Sequence, residues 1–194
     1  MQLVEIEYKD LKNKEESVTR YGFIIENTDE LANRLAAKEK ERFDLKRDSL
    51  DHFEHDVFAL FQYMIGNTDW KIGALHNTKI IQKHKTAKYY VIPYDFDYSG
   101  FVNTVYAVPN VDLRQVHVKD RIYMGACKDA KLLDTVKVHF LDHKEELLAT
   151  INAFDLLSKS SRKNLSSYLK SFYKTLENDK KFRKNCLKKG KIWY

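Results

Sequence analysis

Five oxygen-bearing side chains fall within one short stretch of the chain: Asn67, Asp69, Asn77, Asp95 and Asp97. Asn67 and Asp69 follow a helical apolar run, Asn77 precedes a strand-like run, and Asp95 and Asp97 follow the next one. Carboxylate and amide oxygens gathered at the ends of elements suit a hard cation such as Mg²⁺. That ion keeps several waters and takes one or two protein carboxylates, with phosphate supplying much of the rest. A further carboxylate nearby can accept a proton from an attacking hydroxyl. Each residue also has a plainer reading. Asp69, Asn77 and Asp95 are turn formers, Asp97 a surface acid, Asn67 a helix end and Lys71 a solvated lysine. His76 reads as a backbone-bonded histidine, and Tyr94, Phe96, Tyr98 and Phe101 as packing rings.

Other chemistry has less support. His52 and His55 sit in Asp51-His52-Phe53-Glu54-His55-Asp56, which is not a zinc-protease motif. His139 and His143 are four apart and could share a metal, but no third ligand accompanies them. Cys127 and Cys186 have no CxxC spacing and no histidine beside them, which leaves thiol catalysis without a base. No serine sits in a nucleophile elbow.

The elements that must position the oxygen cluster can be read from periodicity. Val4, Ile6 and Tyr8 alternate with Leu3, Glu5 and Glu7, and Tyr21 to Ile25 follow after a polar stretch, which predicts a β-hairpin. Thr28 caps a predicted helix running to about Ala37, with Asp29 and Glu30 in its first turn. A second helix, capped by Asp48 or Ser49, carries Leu50, Phe53, Val57, Leu60, Phe61 and Met64 at helical spacing and stops at Gly66. Thr78–Ile81 and Tyr89–Ile92 predict a second hairpin, ended by Pro93. Beyond an irregular stretch to Pro109, helices are expected over 120–127, 131–154 and 158–178. In the last, Leu165, Tyr168, Leu169, Phe172, Tyr173 and Leu176 form one apolar stripe, read as core. Phe182, Leu187 and Trp193 are expected to dock the tail.

This order of helix, loop with Asp and Asn, hairpin, then Asp-Phe-Asp resembles the C-terminal lobe of protein-kinase-like folds. The wording Asn67-Thr68-Asp69, His76-Asn77 and Pro93-Tyr94-Asp95-Phe96-Asp97 is similar to atypical CotH-type kinases and related Bacteroidetes proteins. The resemblance covers about 40 residues from Met64 to Asn103. It implies an α+β, mostly helical kinase-like C-terminal lobe with two small β-hairpins. Residues 1–27 would be a remnant of the N-terminal lobe with its hinge, and 28–194 the helical lobe. It implies ATP- and Mg²⁺-dependent phosphoryl transfer, with Asp69 as the catalytic-loop aspartate and Lys71 near the transferring phosphate. Asn77 and Asp95 would be metal ligands, and Asp97, in place of the usual glycine, a further one. Ile25-Glu26-Asn27 would be the hinge, with Glu26 and Asn27 meeting adenine through the backbone. The chain departs from the pattern in two ways. Seven residues separate Asp69 from Asn77, a longer interval than the kinase catalytic loop has, and the loop must bulge. No Gly-rich phosphate loop and no strand lysine with a glutamate partner are evident. The alternative reading is a non-catalytic pseudokinase or interaction module using the same cleft.

Composition bounds these readings. The 194 residues are 43% hydrophobic and 32% charged, enough for one domain with a core. Six Gly and two Pro exclude collagen-like or linker sequence. No apolar run approaches the roughly 18 residues of a membrane span. No secretory signal is evident, and two cysteines make no disulfide framework, which points to a reducing, cytoplasmic setting. Charge is uneven: 12 of the 34 Lys/Arg but only two of the 28 Asp/Glu lie in 159–194, a net of +10 there and −4 elsewhere. That segment is either a solvated helix face or a surface for nucleic acid, anionic lipid or an acidic partner. The expected partners of the chain are a nucleotide and an unidentified acceptor. Bare strand edges favour a homodimer or a partner chain.

Overall fold

Alternating residues in the first strand and a helical apolar stripe in the last long helix set the two kinds of structure present. The computed structural model describes residues 2–12, 14–41, 45–127 and 129–187. The chain is α+β with two small antiparallel sheets. Strands β1 (Gln2–Tyr8) and β2 (Val18–Ile24) form the predicted hairpin, with Glu5 opposite Tyr21. Nearly every residue of this hairpin is exposed.

Helix α1 (Thr28–Arg34) follows, capped by Asn27 rather than by Thr28, since Asn27 Oδ1 accepts from Asp29 N at 2.8 Å. The charged stretch after it contains an unforeseen strand, β3 (Ala37–Glu39). It pairs with β4 (Thr78–Lys83), which pairs with β5 (Tyr89–Pro93), so the second sheet has three strands instead of two. A strand of three residues is too short to register as an alternating pattern.

Helix α2 (His52–Ile65) starts three residues later than a cap at Asp48 would place it, and two later than one at Ser49. Asp51 is its cap, accepting from Glu54 N at 3.1 Å. Leu50 therefore lies outside the helix, fully buried, in a bridge to Tyr89. Gly66 ends the helix with φ +67°, a left-handed conformation that costs glycine least.

Two predicted helices are corrected. Residues 121–127 are irregular, not helical. The Arg121 guanidinium there donates to Met64 O at 2.9 Å and Tyr168 O at 2.6 Å, and its NH1 to Ser171 Oγ at 2.8 Å. These tertiary bonds, with Gly125 in the segment, outweigh a weak local helical preference. The long helix over 131–154 is two, α3 (Ala130–Asp142) and α4 (Lys144–Ala153). The ring of His143 donates from Nδ1 to His139 O at 2.8 Å at the break.

Helix α5 (Lys159–Glu177), expected over 158–178, is capped by Ser158, and α6 (Asp179–Cys186) by Asn178. Leu169, Phe172, Tyr173 and Leu176 are buried, and fully buried Phe182 and half-buried Leu187 dock α6 onto the same core. Trp193 lies outside the described residues. Helix α2 has core on two sides. Leu60, Tyr63 and Met64 pack with α3, α5 and α6, while Phe58 and Ala59 pack beneath β4 and β5 with Trp70, Ile72 and Ile80. Among the described residues no helix is long and apolar enough to cross a membrane.

Candidate functional site

The C-terminal end of α2 carries the first of the predicted residues. Gly66 O accepts from Gly100 N at 3.1 Å, and Ile65 O from Phe101 N at 2.9 Å. These bonds fold the chain after β5 back onto the helix. A Cβ on Gly66 would collide with the Tyr168 hydroxyl, and one on Gly100 would lie 2.7 Å from both that hydroxyl and Val118 O. Two glycines therefore let three segments close here. Asn67, almost fully buried, accepts from Asp69 N through Oδ1 at 2.9 Å and turns the chain outward.

The long interval after Asp69 is folded into a small closed loop. Lys71 and His76 exchange both backbone hydrogen bonds at 3.0 Å, with a 3-10 turn over Ile72–Ala74 between them. Trp70 and Ile72 are buried, Trp70 edge-on to Phe58 at 4.9 Å between ring centres, which fixes the base of the loop. Leu75 and Asn77 adopt left-handed backbone, φ +52° and +51°. The result brings two predicted side chains, Asp69 and Asn77, together with that of His76. His76 Nε2 lies 2.8 Å from Asp69 Oδ1. Asn77 Nδ2 donates to Asp69 Oδ2 at 3.0 Å and to Asp69 O at 2.8 Å. The bulge thus restores the adjacency that a shorter loop would give.

Asn77 sits directly before β4, and Pro93 ends β5 opposite Thr78, so Asp95 emerges at the same end of the sheet. Tyr94 N donates to Asn77 O at 3.2 Å and ties the two loops. Asp95 has φ +56°, a conformation aspartate tolerates better than most residues. Partial desolvation, then the hydrogen bond and charge of Asp97, with a smaller push from Asp69, raise its carboxyl above the usual range. Asp97 is steadied from the far side: Tyr106 OH donates to Oδ2 at 3.0 Å and Thr104 Oγ1 to its main-chain oxygen at 3.0 Å. Asp69 and Asn77 therefore form one pair and Asp95 and Asp97 another at the open end of the β4–β5 hairpin, close enough for the charge of Asp69 to be felt at Asp95. Such a cluster attracts cations and repels its own members.

Comparison with protein-family models, curated proteins and solved structures gave no match. The site rests on its own geometry.

The residue types are those that suit Mg²⁺ held jointly with phosphate. Asp95 and Asp97 offer carboxylate oxygens. Asn77, whose nitrogen is engaged by Asp69, keeps Oδ1 without a hydrogen bond among the described residues. Nearby, Asn67 Nδ2 and Thr78 Oγ1 are buried without a partner, and groups of this kind are normally met by water or ligand. Among the described residues no group of three or more His, Cys, Asp or Glu is placed to hold a metal ion.

The remaining predicted residues fall elsewhere. Lys71 is exposed beside the cluster and forms no ion pair among the described residues. Glu26 and Asn27 lie between β2 and α1, away from it in sequence and engaged locally. Glu26 grips Arg34 through two bonds of 2.8 and 2.9 Å, and Asn27 caps α1.

Several supporting residues were missed. The His76 ring was expected to bond the backbone; instead it meets the Asp69 carboxylate. Tyr106, which anchors Asp97, had no signal beyond its place in an aromatic-rich loop. A buried network at the start of α2 was also unforeseen. Asp56, fully buried, meets His55 Nδ1 at 2.9 Å and Arg47 at 3.2 Å. Cys127 lies against it, and burial with the Asp56 contact pushes this thiol up to about 12. A buried thiol so far from ionising is no nucleophile.

Proposed function

We propose that this chain is a kinase-like phosphoryl-transfer protein using ATP and Mg²⁺, related to the CotH-type atypical kinases. One observation carries the reading: Asp69, Asn77, Asp95 and Asp97 converge on one end of the β4–β5 hairpin despite the long interval between Asp69 and Asn77. Phosphoryl transfer needs little covalent chemistry from a protein and depends on positioning and charge. Here Asp69 accepts the proton of the acceptor hydroxyl or orients it. His76 and Asn77 each hold one oxygen of its carboxylate, which fixes the group while leaving each oxygen further acceptor capacity. Asn77 Oδ1, Asp95 and Asp97 are the residues that would hold Mg²⁺, which when bound supplies neutralisation of phosphate charge. Lys71 provides a mobile cation at the rim for the transferring group.

A second reading, a pseudokinase that binds nucleotide without turnover, is favoured by the exposed β1–β2 hairpin and by the local engagement of Glu26 and Asn27. Calorimetric titration with ATP, with and without Mg²⁺, on the wild type and on Asp95→Ala tests both. Mg²⁺-dependent binding that Asp95→Ala abolishes is the expected result. Absence of binding by the wild type at millimolar ATP would overturn nucleotide chemistry at this cleft. Binding without phosphate release or transfer would select the pseudokinase.

A further inference from the structure

Among the described residues of the basic C-terminal segment none bonds the acidic cluster, and the fold does not consume all of their charge. Arg183 is spent on Asp134 and Asp179, and Arg162 faces Asp155. Lys159, Lys163 and Lys170 make no ion pair among the described residues. They share one side of α5 with Arg162 and line a shallow cavity of about 420 Å³ against the end of α4. No residue lining that cavity is acidic. From Lys159 to Lys170 the row runs about 16 Å along the helix.

Beside this row stands the turn between α4 and α5. Phe154 is 44% exposed and Leu156 48%, each large and apolar. Arg162 joins the two features, donating to Phe154 O at 3.1 Å and lying 3.5 Å from the Asp155 carboxylate. The helix cannot itself lie in an interface, because its apolar stripe of Leu169, Phe172 and Tyr173 is buried in the core. On this face only the side chains of Phe154 and Leu156 can enter an apolar phase; the exposed carboxylate of Asp155 between them stays at headgroup level with Arg162 and the lysines.

We propose that this face docks the protein on a membrane rich in anionic lipid, with Phe154 and Leu156 entering the surface and Lys159, Lys163 and Lys170 meeting the headgroups. Charge complementarity and an exposed apolar tip are the two signals that together give stable peripheral binding. A nucleic acid would use the lysines but has no use for an exposed leucine, since backbone contacts are polar and charged.

Co-sedimentation of the full chain with vesicles tests this, using phosphatidylcholine alone or with about 30% phosphatidylserine. Binding is expected only to the anionic vesicles. The triple variant Lys159→Gln, Lys163→Gln, Lys170→Gln should lose about 100-fold in partitioning, since each cation near such a surface is worth about five-fold. The double variant Phe154→Ser, Leu156→Ser should weaken binding by at least ten-fold while the salt dependence persists. All five positions are exposed, and circular dichroism checks that both variants fold. Failure to bind anionic vesicles, or binding indifferent to the double variant, would overturn the proposal. Duplex DNA bound more tightly than the vesicles, and lost in the triple variant alone, would overturn it in favour of a nucleic-acid surface.

Discussion

Asn77 donates to both the carboxylate and the main-chain oxygen of Asp69, at 3.0 and 2.8 Å. One side chain thereby closes the loop that begins at Asp69 and fixes the rotamer of the residue at its start. The closure sets Asn77 in left-handed backbone, which asparagine tolerates and which costs most other residues about 1 kcal/mol.

Two substitutions at this position separate the bonds from the backbone. Asn77→Gly keeps the left-handed turn cheap and deletes the amide, so urea denaturation should show a loss of about 1–2 kcal/mol. Asn77→Ala should lose about 1 kcal/mol more. Equal losses would mean that the left-handed turn is not held against alanine. Both variants should weaken Mg²⁺-dependent ATP binding.

Asp95 should couple stability to pH in the sense of a raised carboxyl. The folded state binds its proton more tightly than the unfolded chain, so ionising it above the raised folded value works against folding. Asp95→Asn keeps a side chain suited to positive φ and removes the charge. Its melting temperature should exceed that of the wild type at pH 7, and the gain should vanish as pH falls below the ordinary aspartate range, where both are neutral. A gain that persists in acid would assign the effect to packing. The same ionisation predicts that Mg²⁺-dependent nucleotide binding weakens as pH falls through the raised value.

Gly66 should be intolerant of any side chain. Gly66→Ala places a methyl group against the Tyr168 hydroxyl at a left-handed position, an expected loss of about 2–3 kcal/mol. Adding Tyr168→Phe removes the hydroxyl and should recover part of it. Independent, additive effects in the double-mutant cycle would show that the collision is not the cause.

Arg121→Met should destabilise by about 2–4 kcal/mol, because the carbonyls of Met64 and Tyr168 lose a charged donor. Chemical denaturation measures it. A change below 1 kcal/mol would mean that the 121–127 segment is held by Met124 and Tyr123 packing instead.

Cys127 and Cys186 should resist thiol reagents in the native protein. Both are buried, burial raises both, and Cys127 at about 12 carries almost no thiolate at pH 8. Ellman's reagent should label neither until urea unfolds the chain. Rapid native labelling would show that the core opens at low cost.

The sequence carried the large periodic elements well. The alternation of Val4, Ile6 and Tyr8, the stripe of α5 and the helix ending at Gly66 each follow from one-dimensional pattern. It failed where tertiary contacts decide. Residues 121–127 look helical until Arg121 finds the carbonyls of α2 and α5. The break at His143 is invisible because the apolar register of Leu133, Val136 and Phe140 continues to Leu147 and Ile151. At the site, residue types were legible and their partners were not. Asp69 and Asn77 could be named from the motif, but the bridge between Lys71 and His76 that joins them depends on Trp70 and Ile72 finding a buried floor. The Asp56 network was hidden for the same reason, since Cys127 is distant in sequence and Arg47 lies outside the helix that carries Asp56.

The β1–β2 hairpin makes most of its contacts within itself, and its strands bury almost nothing against the helices. Energetically the chain is therefore two bodies of unequal size joined at Ile25–Asn27. An isolated two-stranded ribbon is barely stable in water. Its amide protons should exchange with solvent orders of magnitude faster than those of α2 and α5, and proteases should nick it while the remainder stays intact. A calorimeter would register one cooperative transition, from the helical body, with the ribbon already open beneath it.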